Sequence, residues 1–169
     1  MRCQSGYSAL RRGRYSAPGF SYFLTICVAD RSAVLTVPPI GAASQTEIQL
    51  ISDAGAWRVH AFTLMPDHLH LVVELGGRLS LSQAVGRLKS KTRPALTAGH
   101  ARWQQGYFDH RLKTDDSLLP VLLYVYLNPY RKGLVKVTER WPWFYCHADD
   151  WTWFKHHLAD DLPEPEWMR

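Results

Sequence analysis

Cysteine is scarce in this chain. Three occur in 169 residues, at Cys3, Cys27 and Cys146, an odd number with no CxxC pair among them. That excludes a disulfide framework and a thiolate zinc site, and it makes a reducing cytosol the expected setting. Long apolar runs are missing too. Nothing approaches the roughly 18 consecutive apolar residues that a membrane helix requires, and the start of the chain lacks the apolar stretch of a secretory signal. A soluble, cytoplasmic protein with no membrane partner is therefore expected. There is neither an internal repeat nor a low-complexity linker, and the length suits one domain with a real hydrophobic core.

What is present first is positive charge. The formal net charge is +5 and the isoelectric point near 9.2, and the excess is uneven. Arg2, Arg11, Arg12 and Arg14 crowd the start, Arg87, Lys89, Lys91 and Arg93 crowd the middle, and residues 149–166 are acidic. A basic body favours a polyanionic partner, although charge says nothing about fold.

Hydrophobic periodicity sets the expected elements. Residues 20–28 are rich in aromatic and β-branched side chains, as a first strand should be. The Val37-Pro38-Pro39 run reads as an interruption, followed by a modest helix over 43–54. A second strand over 57–65 turns at Pro66-Asp67 directly into a third, which predicts an antiparallel hairpin. Leu81, Ala84, Val85 and Leu88, at i, i+3, i+4 and i+7, predict an amphipathic helix over 80–95. Residues 106–112 form a short candidate strand. Asp115-Asp116-Ser117 offers a cap for a last helix, with Pro120 in its first turn. Strand, helix, hairpin, helix, strand and an extra helix make an α+β chain: a ferredoxin-like split βαβ sandwich with an antiparallel sheet. Two helices cover one face. The other is left to the extra helix or a ligand.

The most informative segment is Met65-Pro66-Asp67-His68-Leu69-His70-Leu71-Val72-Val73-Glu74. Side chains two apart on a strand share a face, so His68 and His70 stand side by side and can hold one divalent cation. Leu69, Leu71, Val73 and Leu75 form an apolar row on the other face. With no third histidine or well-placed cysteine, the pair does not make a structural zinc site. An open cation, completed by oxygen ligands and able to accept a phosphate oxygen, fits better. Imidazole with oxygen partners points to Mn²⁺ or Mg²⁺.

About 50 residues later comes Tyr124-Val125-Tyr126-Leu127-Asn128-Pro129. At about 100° per residue, Tyr124 and Tyr126 lie on nearly opposite sides of a helix, so only one can face the metal. The Tyr124 side also carries Leu127, Asn128 and Arg131: a nucleophile, an amide oxygen for the cation and a charge for phosphate. Pro129 disfavours helical geometry at Asn128 and leaves its direction open. The aromatic end, with Trp141, Trp143, Phe144, Tyr145, Trp151, Trp153 and Phe154, either stacks unpaired bases or staples the end of the chain to the core. Stapling is the preferred reading.

These segments together resemble the single-tyrosine transposases with a His-hydrophobe-His motif, the HUH class. More narrowly they resemble the REP-associated tyrosine transposases. The likeness rests on Met65-Pro66-Asp67-His68-Leu69-His70 and on Tyr124 to Pro129 followed by Arg131-Lys132-Gly133-Leu134-Val135. Tyr15-Ser16-Ala17-Pro18-Gly19, Tyr107-Phe108-Asp109-His110-Arg111 and Trp141-Pro142-Trp143 extend it. The resemblance implies a single domain, with a basic arm over 1–19, a catalytic core over 20–135 and an aromatic-rich extension over 136–169. It implies a metal-dependent single-stranded DNA endonuclease and strand transferase, acting through a 5′-phosphotyrosine on hairpin-flanking DNA. Mg²⁺ or Mn²⁺ would be the cofactor, with no nucleotide requirement. His68 and His70 become metal ligands and Tyr124 the nucleophile. Asn128 stands where relatives carry a longer glutamine, as a third ligand. Arg11, Arg12, Arg14, Arg87, Lys89, Lys91, Arg93 and Arg131 become candidate DNA contacts, and the protein would act as a monomer or homodimer. Two rivals stand beside this reading. One is a non-catalytic binder of structured nucleic acid that keeps the fold. The other is a hydrolase using His68, His70 and Asp67 to activate water.

Overall fold

The computed structural model describes residues 16–113, 118–158 and 162–163. Strand β1 (Ser21–Cys27) leads to helix α1 (Pro38–Asp53), and the hairpin of β2 (Trp57–Met65) and β3 (His68–Leu75) follows. Helix α2 (Leu81–Ala98), strand β4 (Phe108–Arg111) and helix α3 (Leu119–Arg131) come next. A short strand β5 (Phe144–Cys146) and helix α4 (Ala148–Phe154) follow. The strands pair antiparallel in the order β4-β1-β3-β2-β5. The first four are the split βαβ arrangement of a ferredoxin-like sandwich, and β5 adds an edge.

Alternation along the strands gives the sheet two different faces. Leu24 and Ile26 of β1 and Leu69, Leu71, Val73 and Leu75 of β3 bury under α1 and α2, with Ile48, Ile51, Leu81, Val85 and Leu88 opposite them. Each such side chain contributes on the order of 1.5–3 kcal/mol, so this layer is the main source of stability. The other face buries Ala61 and Val72 under Leu122, Val125 and Tyr126 of α3, with Phe144, Trp151 and Phe154 alongside. The final helix thus covers the face left open by the first two.

Helix α1 begins five residues before the expected position. Pro38 and Pro39 occupy its first turn, where a missing N–H costs nothing and the fixed φ favours the start; they open the helix instead of interrupting the chain. At Gly41 an added Cβ would lie 2.3 Å from the Trp143 ring. Only glycine lets the aromatic extension pack so closely on α1. Helix α2 starts with a capping box, Ser80 accepting from the Gln83 backbone while the Gln83 side chain accepts from Ser80 N–H. The expected cap at 115–117 lies outside the described residues, but Pro120 does sit in the first turn of α3. That helix also continues through Pro129 to Arg131, with Lys132 N–H donating to Asn128 O. Asn128 is therefore helical, which fixes the direction that Pro129 left open.

Candidate active site

The register across the sheet builds the site. On the face beneath α3, Cys27, His68 and Met65 form one transverse row, and Thr25, His70 and Thr63 form the next. Paired residues on adjacent strands have Cβ atoms about 4.5–5.5 Å apart, so the second row sets a hydroxyl on each side of His70. Thr25 Oγ1 lies 3.0 Å from His70 Nδ1. Asp67 Oδ1 lies 2.6 Å from His68 Nδ1.

Those two contacts aim the rings. The Nε2 atoms of His68 and His70 converge to 3.0 Å, with the ring planes crossed at 80°. The Asp67 carboxylate only accepts, so His68 carries its proton on Nδ1 and turns an Nε2 lone pair inward. The Thr25 hydroxyl can play either part. When it donates to His70 Nδ1, His70 Nε2–H donates to His68. When it accepts, both imidazoles present lone pairs to one point, as two metal ligands with outer-sphere partners do. Burial is the main cause lowering the pKa of His70, to about 3, with His68 and Arg31 adding to it. Burial likewise lowers the pKa of His68, against the pull of Asp67. Both rings are neutral at physiological pH, which is the form that binds cations.

Tyr124 brings the third group. Its Oη is 3.4 Å from His70 Nε2, its ring centroid 5.1 Å from that of His70, and the residue is 41% exposed. Phe23 stacks on His70 at 5.4 Å and meets Tyr124 edge-on at 5.8 Å, holding both rings from the sheet side. Tyr126 is only 2% exposed. It packs against Phe144, Trp151 and Phe154, and its hydroxyl donates to Pro163 O at 2.7 Å. Of the two tyrosines, the structure brings Tyr124 alone to the imidazoles. Asn128 follows one turn later on the Tyr124 side of α3 and is 5% exposed.

The donor set fits a divalent cation. Two neutral imidazole nitrogens converge beside oxygen-bearing side chains, and the fully buried hydroxyl of Thr63, next to His70, has no hydrogen-bond partner. A buried hydroxyl is rarely left so unless a water or ion satisfies it. Among the described residues no cluster of three His, Cys, Asp or Glu side chains could hold a metal, so among them the oxygen side chains near the imidazoles, such as Asn128 and Tyr124, are the candidates for a third ligand. Asp67 bonds His68 Nδ1 with one oxygen and accepts from Arg31 Nε at 2.9 Å with the other, so it holds His68 in place.

The basic residues divide. Arg11, Arg12 and Arg14 lie outside the described residues. Arg87 pairs with Glu47 at 2.8 Å, and Lys89 Nζ donates to Gln104 O and Gly106 O, tying α2 to the approach to β4. Lys91 and Arg93 are exposed on α2, which packs on the opposite sheet face from the imidazoles. None of these four is brought to the site. Arg131 is exposed at the end of α3. Sequence reasoning missed Thr25, Phe23, Arg31 and Lys132. Only alternation in β1 could have signalled Thr25 and Phe23. The two cations lie in loops without periodicity, yet the charge of each lowers the pKa of His68.

The aromatic extension staples. Trp141, Phe144, Trp151 and Phe154 join the second core, and Trp141 Nε1–H donates to Leu64 O. Among the described residues no helix is long and apolar enough to cross a membrane.

Known proteins resemble this chain in sequence and in fold. A REP-associated tyrosine transposase of Escherichia coli (strain K12) is 23% identical over 137 residues, covering 80% of this chain and 82% of the relative. The solved structure of a REP-associated tyrosine transposase bound to a REP hairpin superposes with a TM-score of 0.66 at 23% identity, over 78% of this chain and 79% of that one. It shares the fold. The profile of the family described as "Transposase IS200 like" matches residues 16–125, well over half of the sequence and a span that contains His68, His70 and Tyr124. The chain belongs to the IS200-like transposase family.

Proposed function

We propose that the protein is a metal-dependent enzyme that nicks and rejoins single-stranded DNA beside a hairpin, with Tyr124 as the nucleophile. The observation that carries this reading is the approach of an exposed phenol to 3.4 Å from one of two converging imidazoles. His68 and His70 would hold Mg²⁺ or Mn²⁺, with Asn128 as the third protein ligand. The bound cation would supply positive charge to a non-bridging oxygen of the scissile phosphate.

The chain's own groups do the rest. Tyr124 Oη attacks phosphorus, and the bond from phosphorus to the 3′ oxygen breaks. The phenolic proton leaves to solvent at the exposed side, and the departing 3′ oxygen gains one to become a 3′-OH. The 5′-phosphate stays on Tyr124. Attack by a 3′-OH reverses the exchange and restores a phosphodiester, so no nucleotide hydrolysis is needed. Phe23 and the Asp67 and Thr25 contacts keep both rings and phenol aligned through the two exchanges. Hairpin DNA is the proposed partner because the solved relative is bound to a REP hairpin. Unpaired DNA is the proposed target because stacking hides bases in a duplex.

The test is a denaturing gel of protein incubated with end-labelled hairpin DNA and Mn²⁺. A protein–DNA band should form and should disappear in Tyr124→Phe, while hairpin binding persists. Binding without any band in the unaltered protein would favour the non-catalytic rival.

A further inference from the structure

Directly after β1, Ala29–Arg31 make a single tight turn in which Asp30 and Arg31 both have φ of 55°. Two successive side-chain-bearing residues in the left-handed region are disfavoured and persist only where their surroundings fix them. Here the loop is tied to the β2–β3 turn. Val28 N–H donates to Asp67 O and Leu35 N–H to Pro66 O, each at 2.9 Å, and Ala29 N–H donates to Arg102 O at 2.8 Å.

The strained turn delivers the Arg31 guanidinium to the imidazole pair. Nε–H donates to Asp67 Oδ2 at 2.9 Å, and Nη1–H donates to Cys27 Sγ at 3.3 Å. Cys27 is the register partner of His68, and Asp67 holds His68 directly. Two of the three guanidinium nitrogens are thus held, yet the side chain remains 52% exposed. A guanidinium has five N–H groups in a rigid fork, and those of Nη2 bond to none of the described residues. Its charge already bears on both imidazoles.

We propose that Arg31 is a phosphate-binding residue of this site, with Asp67 and Cys27 holding two of its nitrogens so that the third, Nη2, meets a DNA phosphate oxygen beside Tyr124. The inference rests on reading the site as a DNA-processing centre, and deepens it by naming a contact that carries binding energy independently of the cation. Pre-orientation suits arginine better than lysine, since a planar fork held at two nitrogens fixes the direction of its remaining N–H groups, whereas an ammonium rotates.

The test measures fluorescent hairpin DNA binding across a salt series, in a Tyr124→Phe background so that no adduct forms, with Mn²⁺ affinity measured separately by calorimetry. Arg31→Gln should weaken DNA binding about tenfold and reduce the salt slope by about 0.7–0.9, the value of one phosphate contact. Mn²⁺ affinity should not fall, because Asp67 keeps its contact with His68. Arg31→Lys should recover the slope but only part of the affinity. An unchanged slope in Arg31→Gln overturns the proposal. So does a parallel loss of Mn²⁺ affinity, which would make Arg31 a positioning residue acting through Asp67 and His68. If the unaltered protein forms no covalent adduct but the Arg31→Gln slope still falls, the nicking reading fails and the phosphate contact stands.

Discussion

Thr25→Val isolates one hydrogen bond at the centre of the site. The substitution keeps the shape of the side chain and deletes the oxygen that lies 3.0 Å from His70 Nδ1. His70 is only 4% exposed, so water does not replace that partner. With a cation on Nε2, the imidazole must carry its proton on Nδ1, and in the variant that buried N–H has no acceptor. An unsatisfied buried donor costs about 1–3 kcal/mol, which converts to about a 5- to 150-fold loss of cation affinity at 1.4 kcal/mol per decade. Without a cation the cost is smaller, because His70 can move its proton to Nε2 and donate to His68. Thermal stability of the metal-free variant should therefore fall by no more than about 1 kcal/mol. Calorimetric titration with Mn²⁺ and denaturant melts of the metal-free protein separate the two effects. A Mn²⁺ affinity equal to that of the unaltered protein would refute the reasoning, since it would mean that Thr25 does not set the orientation of His70.

Three further outcomes follow from the geometry. Tyr126→Phe should keep the covalent adduct and lose about 1 kcal/mol of stability with its bond to Pro163 O; loss of the adduct at full stability would reassign the nucleophile. Gly41→Ala should destabilise by about 1–3 kcal/mol, because the new methyl would sit 2.3 Å from the Trp143 ring, and an unchanged melting temperature would show that the extension yields freely. His70 refuses a proton in the folded state down to about pH 3, whereas an unfolded histidine takes one near 6.5. Between those values the unfolded chain binds more protons, so metal-free stability is full above pH 6.5 and falls below it, by about 2 kcal/mol at pH 5. A flat unfolding free energy from pH 7 to 5 would contradict the neutral buried ring.

The parts of this molecule that were legible in its sequence are those governed by local periodicity. Alternation placed His68 and His70 together and put Leu69 and Leu71 behind them, and Pro66-Asp67 marked the hairpin turn to the residue. Helical geometry separated Tyr124 from Tyr126. Tertiary pairing decided the rest. Strand β5 is three residues long and exists because Phe144 and Tyr145 pair with Thr63 and Phe62, which no local pattern encodes. Two prolines that read as an interruption became a helix start. The cations of α2 read as a candidate DNA contact, because charge reports how basic a helix is but not which sheet face it covers. Arg31 went unnoticed because its position depends on a strained loop anchored to a turn 36 residues away.

The burial of Tyr126 has a consequence for what one molecule can accomplish. With that hydroxyl bonded to Pro163 O, Tyr124 is the one phenol that the described residues bring to the imidazoles. On the proposed chemistry each copy carries one severed end at a time. Freeing a segment bounded by two breaks then requires either successive rounds by one copy or two copies working at opposite boundaries, and the stoichiometry of adducts on a two-site substrate distinguishes them.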